Sequence, residues 1–410
     1  MLRVAATLVV LALARAAAAL TQGQIDATAA RAGNGVGPIV RRLASPHLDG
    51  RDNATVGSER AQRFIVGRLK RLGAGANTAA NGAEAYRQHF VQSGQTGTNL
   101  LAVIRGRELP DEYVVLGAHY DHFGTHSDAS GHCTRNAPAG GARCPGATDD
   151  ASGVAAVLAI GRAIRKLPMP PRRSVVLALW DAEEDGLLGS LYYVGHPLVP
   201  LAATRAYVNF DIQGSDLLPS LSHSTFAVSP ETGGSPLQAF VDAADQAEPA
   251  LDVRPLSYIF GQGRSDYANF VANDVPTVFL GDGTNGCYHT VDDDIGIVDR
   301  RKLAAQARVG FRIAAQLAET STPPPFRAPS QALATYADAV SLGAVFTEGL
   351  ADLALFSPAD RAMIQDTQAD IAGLVAAGAG SFDQSDVGVL FSAAIQGIDA
   401  IERLGCLPRR

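Results

Sequence analysis

Between Asn99 and Thr320 the chain alternates short apolar runs of β type with helical segments, and this alternation limits the fold more than any other feature. The β-type runs are Leu100 to Ile104, Tyr113 to Ala118, Val175 to Trp180, Ala206 to Phe210 and Pro276 to Leu280. Helical patterns cover Gly153 to Lys166, Leu187 to Val194, Ser235 to Ala247 and Arg300 to Ala318. Strand and helix in alternation predict an α/β three-layer sandwich, with a mostly parallel mixed central sheet flanked by helices. In such sheets ligand sites gather at the carboxyl ends of the strands.

The polar residues fall at those ends. His119 and Asp121 follow one run, Glu183 and Glu184 a second, Asp211 a third, and His289 lies beyond a fourth. Asp149 and Asp150 sit in a turn that feeds a helix opened by Ser152 and Gly153. If the extended conformation continues past Trp180, strand alternation points Glu183 and Glu184 in different directions. One then suits a metal and the other proton transfer.

Two histidines with several carboxylates match zinc, which takes nitrogen and oxygen ligands and keeps an open position in catalytic sites. An Asp149 bridge between two zinc ions, with His119 and Asp211 on one and Glu184 and His289 on the other, gives each ion three protein ligands. Two Zn²⁺, three carboxylates and a shared hydroxide sum to a near-neutral cluster, which a protein holds at the edge of its core more cheaply than a bare charge. Glu183 is then placed to accept a proton, and Asp121 is spaced to orient the His119 imidazole.

The chain has 410 residues, 47% of them apolar, enough for a large core. A net charge of -7 without a long basic run argues against nucleic acid or an anionic membrane as the main partner. Residues 1–20 read as a signal peptide: Met1-Leu2-Arg3, an apolar stretch to Ala14, then small residues. That stretch is short for a bilayer and is interrupted by Arg15, so a secreted or periplasmic protein with no stable membrane association is expected. Export permits disulfides. Cys133 and Cys144 are expected to pair, the alternative being a structural metal held there with His122, His126 or His132, while Cys287 pairs with Cys406 or stays free. Residues 21–320 read as the main body, 321–330 as a proline-rich linker and 331–410 as a C-terminal helical appendage of three helices. Ser357 and Ser385 are its expected N-caps. The stripe Val387, Leu390, Phe391, Ala394, Ile395, Ile398 and Ile401 is expected to be packing surface.

Taken together, A-H-Y-D-H (118 to 122), G-A-T-D-D-A-S-G (146 to 153), W-D-A-E-E-D-G-L-L-G-S (180 to 190), N-F-D (209 to 211), R-S-D-Y-A-N-F (264 to 270) and C-Y-H-T (287 to 290) resemble the co-catalytic di-zinc exopeptidases. That family includes secreted bacterial aminopeptidases, glutamate carboxypeptidases and glutaminyl cyclases. The resemblance implies two zinc ions on His119, Asp149, Glu184, Asp211 and His289, with Glu183 as general base for a water shared by the metals. It further implies a strained Asp149–Asp150 peptide bond, a tyrosine at 288 that hydrogen-bonds the tetrahedral intermediate, and a substrate-side pair in Arg264 and Asp266. Asp293 takes the place of a supporting aspartate near the site, and Asp150 stands beside the bridging residue. Residues 123–145 depart from the pattern as a long insertion expected to cap the pocket. The function implied is an aminopeptidase acting on peptides with a free N-terminus. The alternatives are a carboxypeptidase or dipeptidase, a glutaminyl cyclase, or a non-catalytic binding module.

Overall fold

A computed structural model describes residues 19–138, 140–329 and 334–407; most of the expected signal peptide lies outside the described residues. The described residues form nine strands: β1 (Ala74–Gly75), β2 (Arg87–Gln92), β3 (Gln95–Ile104), β4 (Leu109–His119), β5 (Arg173–Trp180), β6 (Thr204–Phe210), β7 (Ser224–Val228), β8 (Asp252–Leu256) and β9 (Thr277–Gly281). They make one sheet in the order β1-β3-β5-β4-β6-β9-β7-β8, with β2 paired to β3. The four central strands β5, β4, β6 and β9 are mutually parallel, while β3 and β7 join them antiparallel. Every residue of β5 is buried, the signature of a strand covered on both faces.

The helices supply those covers. On one face lie α1 (Gln22–Ala29), α2 (Val36–Leu43), α3 (Val56–Leu69), α4 (Ala151–Ile164), α6 (Gly234–Gln246) and α8 (Arg300–Glu319). Their apolar residues pack against one set of strand side chains, including Val114, Leu116, Leu177 and Val208. On the other face α5 (Leu188–Gly195) and α7 (Tyr267–Val271) pack on the alternate set, Val115, Val176, Ala178, Trp180 and Tyr207. The period-two alternation of strand side chains thus divides one sheet into two cores.

The C-terminal segment forms three helices, α9 (Tyr336–Gly349), α10 (Pro358–Ala377) and α11 (Gln384–Arg403). They build a third apolar cluster with Leu218, Leu221, Phe226, Val228 and Leu256 of the body. Ser357 caps α10, its Oγ accepting from the Asp360 amide at 3.2 Å. The expected Ser385 cap is corrected: Asp383 caps α11 and accepts from the Ser385 amide, because a carboxylate two residues earlier reaches the orphan amides first. The proline-rich segment lies along the body, with Phe326 in the second core and the Arg327 amide donating to Thr232 O at 2.7 Å.

Both pairs of cysteines are joined, Cys133 to Cys144 and Cys287 to Cys406. Among the described residues no helix is long and apolar enough to cross a membrane.

Candidate functional site

The chain crosses from β4 through α4 to β5 on one side of β4, and β6 then pairs on the other. That reversal opens a crevice at the carboxyl ends, where ligands bind in open α/β sheets. His119 closes β4, Asp211 follows β6, Asp149 precedes α4, and Glu183 and Glu184 sit in the turn after β5. His289 arrives on a loop beyond β9.

The side chains converge on Asp149. His119 Nε2 lies 3.0 Å from Asp149 Oδ1 and 3.6 Å from Asp211 Oδ1. His289 Nε2 lies 3.1 Å from Asp149 Oδ2 and 3.2 Å from Glu184 Oε2. The two oxygens of Asp149 therefore face two different groups of ligand-type atoms. Glu183 Oε2 stands 3.9 Å from His119 Nε2, farther out than the Asp149 and Asp211 oxygens. Two backbone features accompany this arrangement: the Asp149–Asp150 peptide bond is cis, and His289 has a left-handed φ of 52°.

The neighbouring acids fix the backbone. Asp293, fully buried, accepts from the Thr148 amide and hydroxyl, both at 2.8 Å, and from the Asp149 amide at 3.0 Å. Asp150 caps α4 through Gly153 N at 2.7 Å and also accepts from the His119 amide at 3.2 Å. Asp121 lies 3.5 Å from His119 Nδ1, and its oxygens take the amides of Glu183 at 3.1 Å and Glu184 at 3.3 Å. One carboxylate thus ties the β4 end to the turn after β5.

Burial and crowding act on the titrations of these groups. Burial pushes the Glu183 carboxyl well above its usual range, with Glu184 and Asp211 adding to the effect against His119. Burial acts to lower the His119 pKa, yet Glu183, Asp121, Asp149 and Asp211 raise it well above its ordinary value. His289 is likewise raised to about 10, against its burial, by Glu184 and Asp149. The cluster is an excess of buried negative charge that calls for cations.

Divalent cations fit this set. His119, Asp149 and Asp211 offer three ligand atoms within 4.8 Å of one another, as do His122, Asp149 and Glu184, and His119, Glu183 and Glu184. Asp211 Oδ1 and His289 Nε2 are buried without a hydrogen-bond partner. Nitrogen and carboxylate oxygen are a zinc donor set.

Several expectations change. The alternation argument for Glu183 and Glu184 fails in its premise, because β5 stops at Trp180 and Ala182 turns to a positive φ of 55°. A turn, not a strand, separates their directions. A structural metal on the insertion is excluded, since Cys133 and Cys144 are bonded to each other and His122 turns into the main cluster. His122 Nδ1 lies 2.6 Å from Glu184 Oε1 and 3.9 Å from Asp149 Oδ2, a contact the sequence reading missed although His122 stands three residues after His119. None of the described residues of the insertion lines the cavity that opens onto the site. It instead braces the loop behind it: the Cys133 amide donates to His289 O at 2.8 Å and His132 bridges to Thr290. Arg135 of the insertion lies 3.1 Å from Asp52 and 3.6 Å from Asp121, and pairs with Asp185. Arg264 and Asp266 part company. Arg264 lines the cavity, its Nη2 donating to Tyr288 Oη at 3.3 Å, while Asp266 is fully buried and accepts from Ser190. Tyr288 lines the same cavity and stacks on His289.

Comparison with known proteins agrees with this geometry. A probable leucine aminopeptidase 2 of Aspergillus oryzae is 31% identical over 201 residues, 48% of this chain and 35% of the relative. Leupeptin-inactivating enzyme 1 of Streptomyces exfoliatus is 28% identical over 259 residues, 58% of this chain and 52% of the relative. The chain thus spans about half or less of the length of these relatives. Among solved structures, the LapA aminopeptidase of Legionella pneumophila shares the fold with a TM-score of 0.57 at 19% identity, over 74% of this chain and 76% of that one. Residues 99–314, just over half of the chain and holding every residue of the cluster, match peptidase family M28, and the chain belongs to that family.

Proposed function

We propose that the protein is a secreted or periplasmic zinc-dependent aminopeptidase that hydrolyses the N-terminal peptide bond of peptides. The observation that carries this reading is the pair of ligand groups that share Asp149 at the carboxyl ends of the central strands, with Glu183 beside them. Asp149, Glu183 and Asp211 line the cavity at this site, and among the described residues Arg264 is the one lysine or arginine that lines it. A C-terminal carboxylate needs cations to hold it and a lone arginine supplies few, so this reading takes the free N-terminus, as the relative described as a leucine aminopeptidase supports. The two disulfides, which use all four cysteines, support export. We also take residues 21–320 as the catalytic body, joined through 321–330 to the helical region 331–410.

In this reading His119, Asp149 and Asp211 would hold one zinc, and Asp149, Glu184 and His289 would hold the other, with His122 supporting Glu184. Bound there, zinc supplies Lewis acidity and a nucleophile available near neutral pH. Glu183 is the general base: its carboxylate stands at the cluster beyond the closer Asp149 and Asp211 oxygens, and it accepts a proton for delivery to the leaving amine. Tyr288 directs its hydroxyl toward the scissile carbonyl oxygen, and Arg264 behind it favours that developing negative charge. Asp121 and Asp293 hold the backbone so that these groups need not reorganise.

A second reading, a carboxypeptidase or dipeptidase, draws on Arg264 at the mouth, which would hold a terminal carboxylate. A panel of free-amine aminoacyl amides, N-blocked amides and C-terminal peptides separates the two, with metal content measured alongside. Cleavage confined to free-amine substrates with about two zinc ions per chain is expected. Equal cleavage of blocked substrates refutes the aminopeptidase assignment.

A further inference from the structure

We propose that Arg135, carried by the loop 123–145, is a positioning residue of the metal centre: its charge holds Asp121 in place, and Asp121 in turn holds the His119 imidazole and the turn bearing Glu183 and Glu184. The inference rests on the metallopeptidase reading and adds to it a residue that stands outside the cavity. Arg135 lies among three carboxylates that come from separate parts of the chain. Its Nη2 stands 3.1 Å from Asp52 Oδ1 and 3.6 Å from Asp121 Oδ2, and its Nη1 pairs with Asp185. Asp52 follows Arg51 in the N-terminal segment, Asp121 lies two residues past the end of β4, and Asp185 follows Glu184. Burial raises the Asp52 carboxyl to about 6, with Arg135 acting against the shift and Asp121 and Asp185 adding to it. The three acids thus repel one another, and the guanidinium is the charge that lets them share one place.

Asp121 is where this charge reaches the site. It is fully buried, stands 3.5 Å from His119 Nδ1, and accepts from the amides of Glu183 at 3.1 Å and Glu184 at 3.3 Å. Among the described residues Arg135 is the one lysine or arginine that ion-pairs with it. A buried carboxylate stripped of its cation is strongly destabilising, and a turn of Asp121 away from its present partners would free both the imidazole and the glutamate-bearing turn. The guanidinium also lies 5.7 Å from the centre of the Phe123 ring, within reach of a cation–π attraction. That ring meets His289 and His122 edge to face, with centres 4.6 Å and 5.1 Å away. One cation therefore bears on the His119 side of the cluster through Asp121 and on the His289 side through Phe123. Its three buried nitrogens have no directed hydrogen bond, so its contacts are set by charge and not by the shape of the fork. A lysine should serve in its place.

The test measures zinc affinity in the full-length protein, by competition with a chelating dye, beside kcat and KM for an aminoacyl amide at saturating zinc. Arg135→Met removes the charge and keeps the length. It is expected to weaken zinc binding about tenfold and to lower kcat by a similar factor with little change in KM, the low end of what the partners of a metal ligand are worth. Arg135→Lys should bring both quantities back to within about threefold of wild type, below that range. On an Asp121→Asn background Arg135→Met should add much less than it does in wild type, since the arginine acts through that carboxylate. Arg143→Met is the control from the same loop: Arg143 pairs with Asp49 at 3.6 Å, and its loss should alter neither quantity. Arg135→Gln takes the place of the methionine variant if that one fails to fold, which urea unfolding of the metal-free protein reports. Three results overturn the proposal: zinc affinity and kcat within about threefold of wild type in the folded methionine or glutamine variant, a lysine variant as impaired as the methionine one, or losses that add in full on Asp121→Asn. A wild type that binds zinc but cleaves no aminoacyl amide would defeat the aminopeptidase reading alone, because the zinc comparison does not depend on which bond is cut.

Discussion

Arg51 offers the sharpest test of what holds the site in place. Its side chain is completely buried, and its guanidinium donates to four main-chain carbonyls: Leu43 at 2.9 Å, Pro145 at 2.6 Å, Gly146 at 2.9 Å and Tyr120 at 2.9 Å. Tyr120 follows His119, and Pro145-Gly146 leads into the turn that carries Asp149, so one side chain ties two elements of the site to the N-terminal helices. A lysine keeps the charge but has three donors on one atom, against five spread over a planar fork. At least one of the four carbonyls must then lose its partner inside the core. An orphaned buried acceptor costs about 1–3 kcal/mol, so Arg51→Lys is expected to destabilise by at least that much. Arg51→Met orphans all four and should cost about 4 kcal/mol or more, at about 1 kcal/mol or more for each acceptor. Urea unfolding followed through Trp180, the single tryptophan, reads both, since that residue is fully buried one position before the turn that bears the glutamates. An Arg51→Lys protein within about 0.5 kcal/mol of wild type, the scatter of ordinary surface changes, would show that charge alone is needed and refute the argument from fork geometry.

Two further perturbations address other parts of the molecule. Glu183→Gln should lower turnover by about 10²–10⁴-fold, the usual worth of a general base, while zinc content stays at the wild-type level; loss of metal would mean that Glu183 is a ligand. Glu231, held by burial at a pKa of about 7 and accepting from the Tyr258 amide at 2.7 Å, is protonated in the folded chain where the unfolded chain has ionised. Its raised pKa makes stability fall as pH rises from about 4.5 to about 7, by about 3 kcal/mol for a shift of that size. Glu231→Gln should remove this slope, so the stability difference between variant and wild type should move in favour of the variant across that window. A constant difference from pH 4 to pH 8 in urea unfolding would contradict it.

The central strands were legible because burial on both faces demands unbroken apolar runs, and β4, β5, β6 and β9 carry them. The outer strands obey weaker rules. β8 contains Asp252, Arg254 and Pro255, which its place at the edge of the sheet permits and a central strand would not. β2 buries Gln88 and Phe90 alternately between exposed or half-exposed neighbours, a pattern too short to stand out. In the site, residues at strand ends could be read because strand position fixes where they go. His122 could not, since its direction depends on a turn, and Arg51 could not, since its four partners come from three separate stretches of chain.

His289 is the exception among the clustered residues, and two additions, the loop 123–145 and the C-terminal helices, bear on it. His119, Asp149, Glu184 and Asp211 each sit beside the end of a central strand or the start of α4, and the rigidity of the sheet is passed to them directly. His289 stands eight residues past β9 with a left-handed backbone, and its side chain is 28% exposed against 4% for Asp149 and Glu184. A loop in that position has low local stability unless other elements hold it. The insertion holds it on one side, through the Cys133 amide on His289 O, the bridge from His132 to Thr290 and the Val291 amide on Gly131 O. The C-terminal helices hold it on the other, through the disulfide from Cys406 to Cys287. Each brace is itself closed or fixed by a disulfide, so it constrains the unfolded chain as well as the folded one. The segment least supported by the sheet is thus the one on which both additions converge, and the same tail that steadies His289 also closes the apolar cavity beside it.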